Sequence, residues 1–221
     1  RSVMLRIGVL VSGGGTNLQA IFDAMDSGKI RNAGVEVVIS NNEGAYALER
    51  ARRAGIPGYV VSRKDYDTNQ AMTAALVDKL SGLDIDLVVL AGFMVIFTRE
   101  MVDAYPNAIL NVPPALIPSF CGKGYYGLHV HERALEYGVK VSGATVHFVS
   151  EECDGGPIVL QKAVAVEEND TPETLQRRIM EQAEWVILPR AVSLFCQGRL
   201  KVEGRTVRIL KPLNLSKECL Q

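Results

Sequence analysis

Residues 4–28, MLRIGVLVSGGGTNLQAIFDAMDSG, limit the fold of this chain more than any other stretch. An apolar run of strand length passes through three consecutive glycines into a segment of helical periodicity that ends on a glycine cap. A strand that is apolar on both faces must be covered on both faces, which is the condition of a parallel sheet flanked by helices. The same alternation recurs downstream: VEVVIS (35–40) is a strand and AYALERARRAG (45–55) a helix. GYVVS then precedes a polar loop and a third helix, TNQAMTAALVDKLSG. DLVVLAG (86–92), the most apolar segment, is expected to be central; REMVDAY is a short helix and AILNV (108–112) a further strand. Alternation of this kind predicts parallel β-α-β units and an α/β, doubly wound sheet.

From about Lys140 the pattern changes. KVSGATVHFVS and PIVLQKAVAV are two longer strands of antiparallel character, a long helix spans 172–197, and LKVEGRTVRIL is a hairpin turning at Glu203-Gly204. With no repeats, low-complexity tracts or linkers, a single domain over 1–221 is expected, with a peripheral tail from Lys211. Arg1-Ser2-Val3 ahead of Met4 is expected to be a remnant of expression.

The formal net charge of −1 gives no support for nucleic-acid binding. Asp84, Asp86 and Gly92 interrupt the longest apolar run short of a membrane span, and no secretory signal is visible. Cys121, Cys153, Cys196 and Cys219 lie far apart without a C-x-x-C pair, which argues against structural zinc and fits a reducing cytoplasm.

SGGGTNL (12–18) brings a glycine-rich backbone to a helix start, the arrangement that binds anions. Leu18 stands where a dinucleotide fingerprint needs a third glycine, and the second strand ends Ser40-Asn41-Asn42 without the expected acid. No lysine completes a P-loop. What remains is a single phosphate held by the N–H groups of Gly15, Thr16 and Asn17, beside the plainer reading of a tight βα turn capped by Thr16.

Asp154 in SEECDGGPIV (150–159) is a turn former by its local context, and a carboxylate there could also orient a base or raise a partner's pKa. His129 and His131 in LHVHERALEYG begin a helix, so their i, i+2 spacing does not make a metal pair. His147, in the strand ATVHFVS, is most simply a satisfied half-buried histidine, and it could also line a cleft with Asp154. Cys153 has no histidine signature to make it a nucleophile.

LNVPPALIPSF (110–120) runs a buried strand into a corner poor in donors. Asn111 offers two donors and an acceptor, while Pro113 and Pro114 offer neither N–H nor a titratable group.

Taken together, SGGGTNLQAI, VVLAGFM, NVPPALIP and HFVSEECDGGPIVLQ resemble the phosphoribosylglycinamide formyltransferase family. LERARRAGIP and the Glu184-Trp185 to Pro189 pattern add to the match, which runs from about Met4 to Leu210. The resemblance implies formyl transfer from 10-formyltetrahydrofolate to the amine of glycinamide ribonucleotide, in a cytoplasmic monomer or homodimer that needs no metal. It divides the chain into a phosphate-binding half (4–112) and a folate-closing half (113–210). It assigns the ribonucleotide phosphate to Gly15, Thr16 and Asn17, and further ribonucleotide contacts to Glu181 and Glu184. One helix residue is inserted near Met180 and Glu181. The folate falls to Met94, Val95, Ile96 and Phe97, to Asn111, and to the closing loop Ser150, Glu151, Glu152, Cys153 and Asp154. Asn69 stands where the family commonly has an arginine near the folate.

The catalytic set implied is Asn111, Asp154 and a histidine two residues after the asparagine. That last position holds Pro113, which can neither donate to an oxyanion nor carry a proton. The resemblance therefore implies an intact binding site with strongly impaired turnover. Competing expectations are a non-catalytic ligand-binding variant and a formyltetrahydrofolate hydrolase. Against the hydrolase, that lineage usually carries an added N-terminal domain, whereas this chain opens at strand one. Transfer to initiator tRNA would want a basic C-terminal domain that is not seen.

Overall fold

A computed structural model describes residues 4–212. Its sheet has nine strands in the order β3-β2-β1-β4-β5-β6-β7-β9-β8. β1 (Leu5–Val11), β2 (Ala33–Ser40), β3 (Gly58–Val60), β4 (Leu87–Leu90) and β5 (Ile109–Asn111) are mutually parallel. β6 (Val141–Phe148) returns antiparallel to β5, and β7 (Ile158–Ala165) is antiparallel to β6. The hairpin of β8 (Leu200–Glu203) and β9 (Thr206–Ile209) closes the far edge. Its turn residues are Gly204 and Arg205, one position later than expected, because Glu203 still pairs with Thr206. The expected doubly wound α/β sheet with antiparallel C-terminal strands is present.

Two apolar layers sandwich the sheet. Ile7, Val9, Val11, Leu87 and Val89 face the layer that contains α1 (Thr16–Asp26) and α7 (Trp185–Cys196). Leu10, Val88, Leu90 and Ile109 face α3 (Asn69–Gly82) and α4 (Arg99–Ala104). Strands covered on both faces lose the polar–apolar alternation, which is why β1 and β4 are nearly continuous apolar runs. α2 (Tyr46–Arg53) follows β2, and α5 (Leu128–Tyr137) precedes β6.

The chain leaves β1 toward β2 and β3 and returns to β4 on the other side of β1. The adjacent C-terminal ends of β1 and β4 therefore form a topological switch point, where a crevice opens in sheets of this kind. Met94 N–H donates to Ser12 Oγ at 2.8 Å, tying the two post-strand loops together there.

The expected helix over 172–197 is α6 (Pro172–Ile179) and α7 joined through a π-helical turn, Met180–Glu184. One added residue in a helix is absorbed by widening a turn from i→i+4 to i→i+5 pairing. The π turn falls where the resemblance implied one inserted residue. A capping box at Thr171 and Thr174 and a proline in the first turn start α6. Residues 213–221, most of the expected tail and Cys219 among them, and residues 1–3 lie outside the described residues.

Candidate active site

The glycine loop precedes α1 directly. Gly15, not Thr16, is the N-cap: it adopts φ 75°, and no side chain caps the helix. An added Cβ there would sit 2.6 Å from Ala47 Cβ and 2.8 Å from its Cα, so both the backbone angle and the packing demand glycine. Arg50 Nε donates to Gly14 O at 2.7 Å and braces the loop from α2. With no capping side chain, the first N–H groups of α1 remain available to an anion.

Beneath this loop Asn17 Nδ2 donates to Glu184 Oε1 at 3.1 Å, 167 residues away in sequence. Both residues are buried, and Asn17 Oδ1 finds no partner among the described residues. Burial pushes the Glu184 carboxyl up to about 7, against the opposing bond from Asn17. Glu181 is not brought to this cluster: it lies exposed and pairs with Arg177 at 2.9 Å. A groove of about 740 Å³ runs between α1 and α7; it is walled by Thr16 but by none of Asn111, Asp154 or Met94.

On the far side of the switch point, residues 93–97 alternate. Phe93, Val95 and Phe97 pack onto the α3–α4 layer, with the two phenyl rings stacked at 6.5 Å. Met94 and Ile96 point out, 52% and 71% exposed, a pair of large apolar side chains left largely open among the described residues. Asn69 is exposed at the start of α3, where its Oδ1 accepts from Arg63 Nε at 2.5 Å. A guanidinium therefore lies beside Asn69, although Arg63 drew no attention in the sequence.

Asn111 ends β5 directly opposite His147 in the antiparallel pair with β6, so the two side chains project from one face of the sheet. The Asn111 amide has no hydrogen-bond partner among the described residues. His147 is buried; its Nδ1 lies 2.9 Å from Phe148 O, and since a carbonyl only accepts, that nitrogen carries the proton. Its Nε2 lies 3.5 Å from Asp154 Oδ1, in range for charge attraction but without a formed hydrogen bond. A bond there would require a doubly protonated ring or a proton on the carboxylate. Asp154 Oδ2 accepts from Gly122 N–H at 2.9 Å. Burial raises the Asp154 carboxyl, but His147 and the Gly122 N–H outweigh it, and the group titrates below the ordinary aspartate range.

Asp154 sits at φ 53° in a tight turn. Gly156 makes that turn possible, since a Cβ at this position would meet Phe148 O at 1.6 Å. Ser150 is half-buried and Glu151, Glu152 and Cys153 are exposed, with Glu151 held to Arg99 at 3.1 Å. His129 is exposed on α5 and pairs with Glu132 at 3.0 Å, away from this cluster. His131 is fully buried with both ring nitrogens unpartnered among the described residues, and burial lowers it to about 4.

The Pro113-Pro114 corner is held through its carbonyls. Thr145 N–H donates to Pro113 O at 3.1 Å, Thr145 Oγ1 to Ala115 O at 2.7 Å, and Gln161 Nε2 to Ile117 O at 3.0 Å. Ile117 N–H also donates to Thr145 Oγ1 at 3.2 Å, but position 113 is held through its carbonyl alone, so proline there leaves the corner intact. Thr145 and Gln161 carried no signal in the sequence, being unexceptional residues on strands.

A family model described as Formyl transferase matches residues 5–192. The phosphoribosylglycinamide formyltransferase of Haemophilus influenzae is 44% identical over 200 residues, covering 90% of this chain and 91% of that protein. The crystal structure of glycinamide ribonucleotide transformylase 1 from Symbiobacterium toebii superposes with a TM-score of 0.88 at 50% identity, covering 94% of this chain and 95% of the other. A formyltetrahydrofolate deformylase from Pseudomonas syringae superposes with a TM-score of 0.83 at 25% identity, and this chain covers 66% of it.

Proposed function

The chain belongs to the phosphoribosylglycinamide formyltransferase family, and we propose that it binds the two substrates of that reaction in purine biosynthesis while transferring the formyl group slowly. The substrates are glycinamide ribonucleotide and 10-formyltetrahydrofolate. The observation that carries the reading is the uncapped α1 start at Gly15–Asn17, with Glu184 buried beneath it, beside the uncovered Met94 and Ile96. An anion with polar groups below it suits the first half of that cleft, and a flat apolar ring suits the second.

In this reading the ribonucleotide phosphate takes the N–H groups of Gly15, Thr16 and Asn17, and Glu184 meets its sugar. Glu181 lies too far out on the helix to share that contact and serves at most at the rim. The folate ring rests on residues 94–97, with Ser150–Asp154 over it and Asn69 with Arg63 near its tail. The ribonucleotide amine attacks the formyl carbon, and the resulting oxyanion accepts a hydrogen bond from the free Asn111 amide. A proton must then travel from the amine to the departing folate nitrogen, and Asp154 stabilises positive charge along that route.

Pro113 withdraws the group that would carry this proton. Losing one oxyanion donor costs ~10²–10³ in turnover, and losing a general acid–base costs ~10²–10⁴. Both describe one missing imidazole, so they are not multiplied. His147 is the nearest remaining ring, but its Nδ1 proton is committed to Phe148 O and its Nε2 is turned to Asp154. Water as acceptor, the hydrolase reading, has less support, since identity to the deformylase is half that to the transformylase.

Calorimetry with glycinamide ribonucleotide tests the binding claim. The expected result is saturable heat, competed by inorganic phosphate. Absence of both heat and phosphate competition would remove the reading.

A further inference from the structure

Cys121 and Cys153 lie on the two segments that meet at Asp154. Cys121 precedes Gly122, whose N–H donates to Asp154 Oδ2 at 2.9 Å, and Cys153 directly precedes Asp154. One hydrogen bond thus brings the neighbours of both thiols together. Both cysteines are free. Cys153 is exposed, and Cys121 is half-buried with its thiol donating to Pro118 O at 3.3 Å. The groups also sense one another's charge: burial, then Asp154, then Cys153 push the Cys121 thiol up, while burial and then Asp154 raise Cys153. Formyl transfer as derived above uses neither sulfur.

We propose that Cys121 and Cys153 form a modification site, joined into an intramolecular disulfide by a low-molecular-weight disulfide oxidant, which pins the loop carrying Asp154 to the segment after Pro118. The exposed Cys153 thiolate attacks one sulfur of the oxidant, and the other sulfur leaves as a thiol. Cys121 then attacks the Cys153 sulfur of that mixed disulfide and expels the second thiol. One S–S bond is broken and one formed; the two cysteines lose two electrons and two protons, and both pass to the oxidant's thiols. Thiols held above their ordinary pKa make the first step slow at neutral pH. The second step is favoured because its partners are already on adjoining segments. A disulfide requires Cα atoms within about 7 Å, and the Gly122–Asp154 hydrogen bond already brings the residues next to both cysteines together.

The functional consequence rests on the proposed function: a loop that must part to admit folate no longer does so once it is pinned. The test incubates the full chain with oxidised glutathione and maps unreduced peptides by mass, with tetrahydrofolate binding followed in parallel. Loss of two thiols with a Cys121–Cys153 linked peptide is expected, and C121S should stop at a glutathione adduct on Cys153. A wild-type chain that also stops at the adduct, or that links either residue to Cys196 or Cys219, overturns the proposal. Folate association is expected to slow about tenfold in the linked protein and to recover with dithiothreitol. An unchanged rate in linked protein overturns the pinning. Failure of folate to bind even the reduced chain would instead sink the functional reading and leave the linked peptide standing.

Discussion

Replacing Glu184 by glutamine changes how stability depends on pH, and the size of the effect follows from the packing beneath the glycine loop. Burial raises the Glu184 carboxyl from 4.5 to about 7, with Asn17 Nδ2 the opposing hydrogen bond. Between those two values the native state holds a proton that the unfolded chain has released. Stability therefore falls as pH rises through that window, and the full loss is present above the native pKa. A displacement of that size corresponds to about 3 kcal/mol, an upper figure because water entering the loop would reduce it. Glutamine keeps the shape and the bond to Asn17 but cannot ionise. Urea unfolding of both proteins at about pH 5 and about pH 8.5 reads the difference. Because pH 5 already lies just inside the window, the wild type is expected to lose up to about 2.5 kcal/mol relative to Glu184→Gln between the two conditions. Parallel pH dependences would refute the reasoning, since they would mean that Glu184 already ionises in the native state as freely as in the unfolded chain.

Three further substitutions probe the parts that hold the site. Gly156→Ala forces a methyl to 1.6 Å from Phe148 O; a loss of ~3 kcal/mol or more in chemical denaturation is expected. Gly15→Ala puts a Cβ 2.6 Å from Ala47 Cβ at φ 75°, and calorimetry should show ribonucleotide binding weakened about tenfold or more, from a backbone cost of ~1–2 kcal/mol. Thr171→Ala removes the capping box of α6 and should lower stability by ~1 kcal/mol without changing ligand affinity.

Elements whose signals are local could be read directly from the sequence. The apolar runs of β1 and β4, the glycine loop, the proline corner and the antiparallel pair β6–β7 all declare themselves in composition or period, and the structure has each of them. The π turn at Met180–Glu184 lies where the resemblance implied one added residue, and widening a turn is how a helix absorbs one. Contacts that depend on long-range approach left no such trace. Thr145 and Gln161 steady the proline corner from 30 and 44 residues away, and Arg63 reaches Asn69 across a 3₁₀ turn. The pairing of Asn111 with His147 needed the register of β5 on β6, which no local pattern encodes. Thr16 was the natural capping residue by type, yet the close approach of Ala47 gives that position to Gly15.

Steady-state formyl transfer by the wild-type chain and by Pro113→His, with ribonucleotide affinity measured on both, tests the central claim most directly. Position 113 is held through its carbonyl, so histidine there keeps the hydrogen bond from Thr145 N–H. The account predicts turnover raised by ~10² or more at unchanged ribonucleotide affinity. Equal turnover in the two proteins, with both substrates bound, would contradict it.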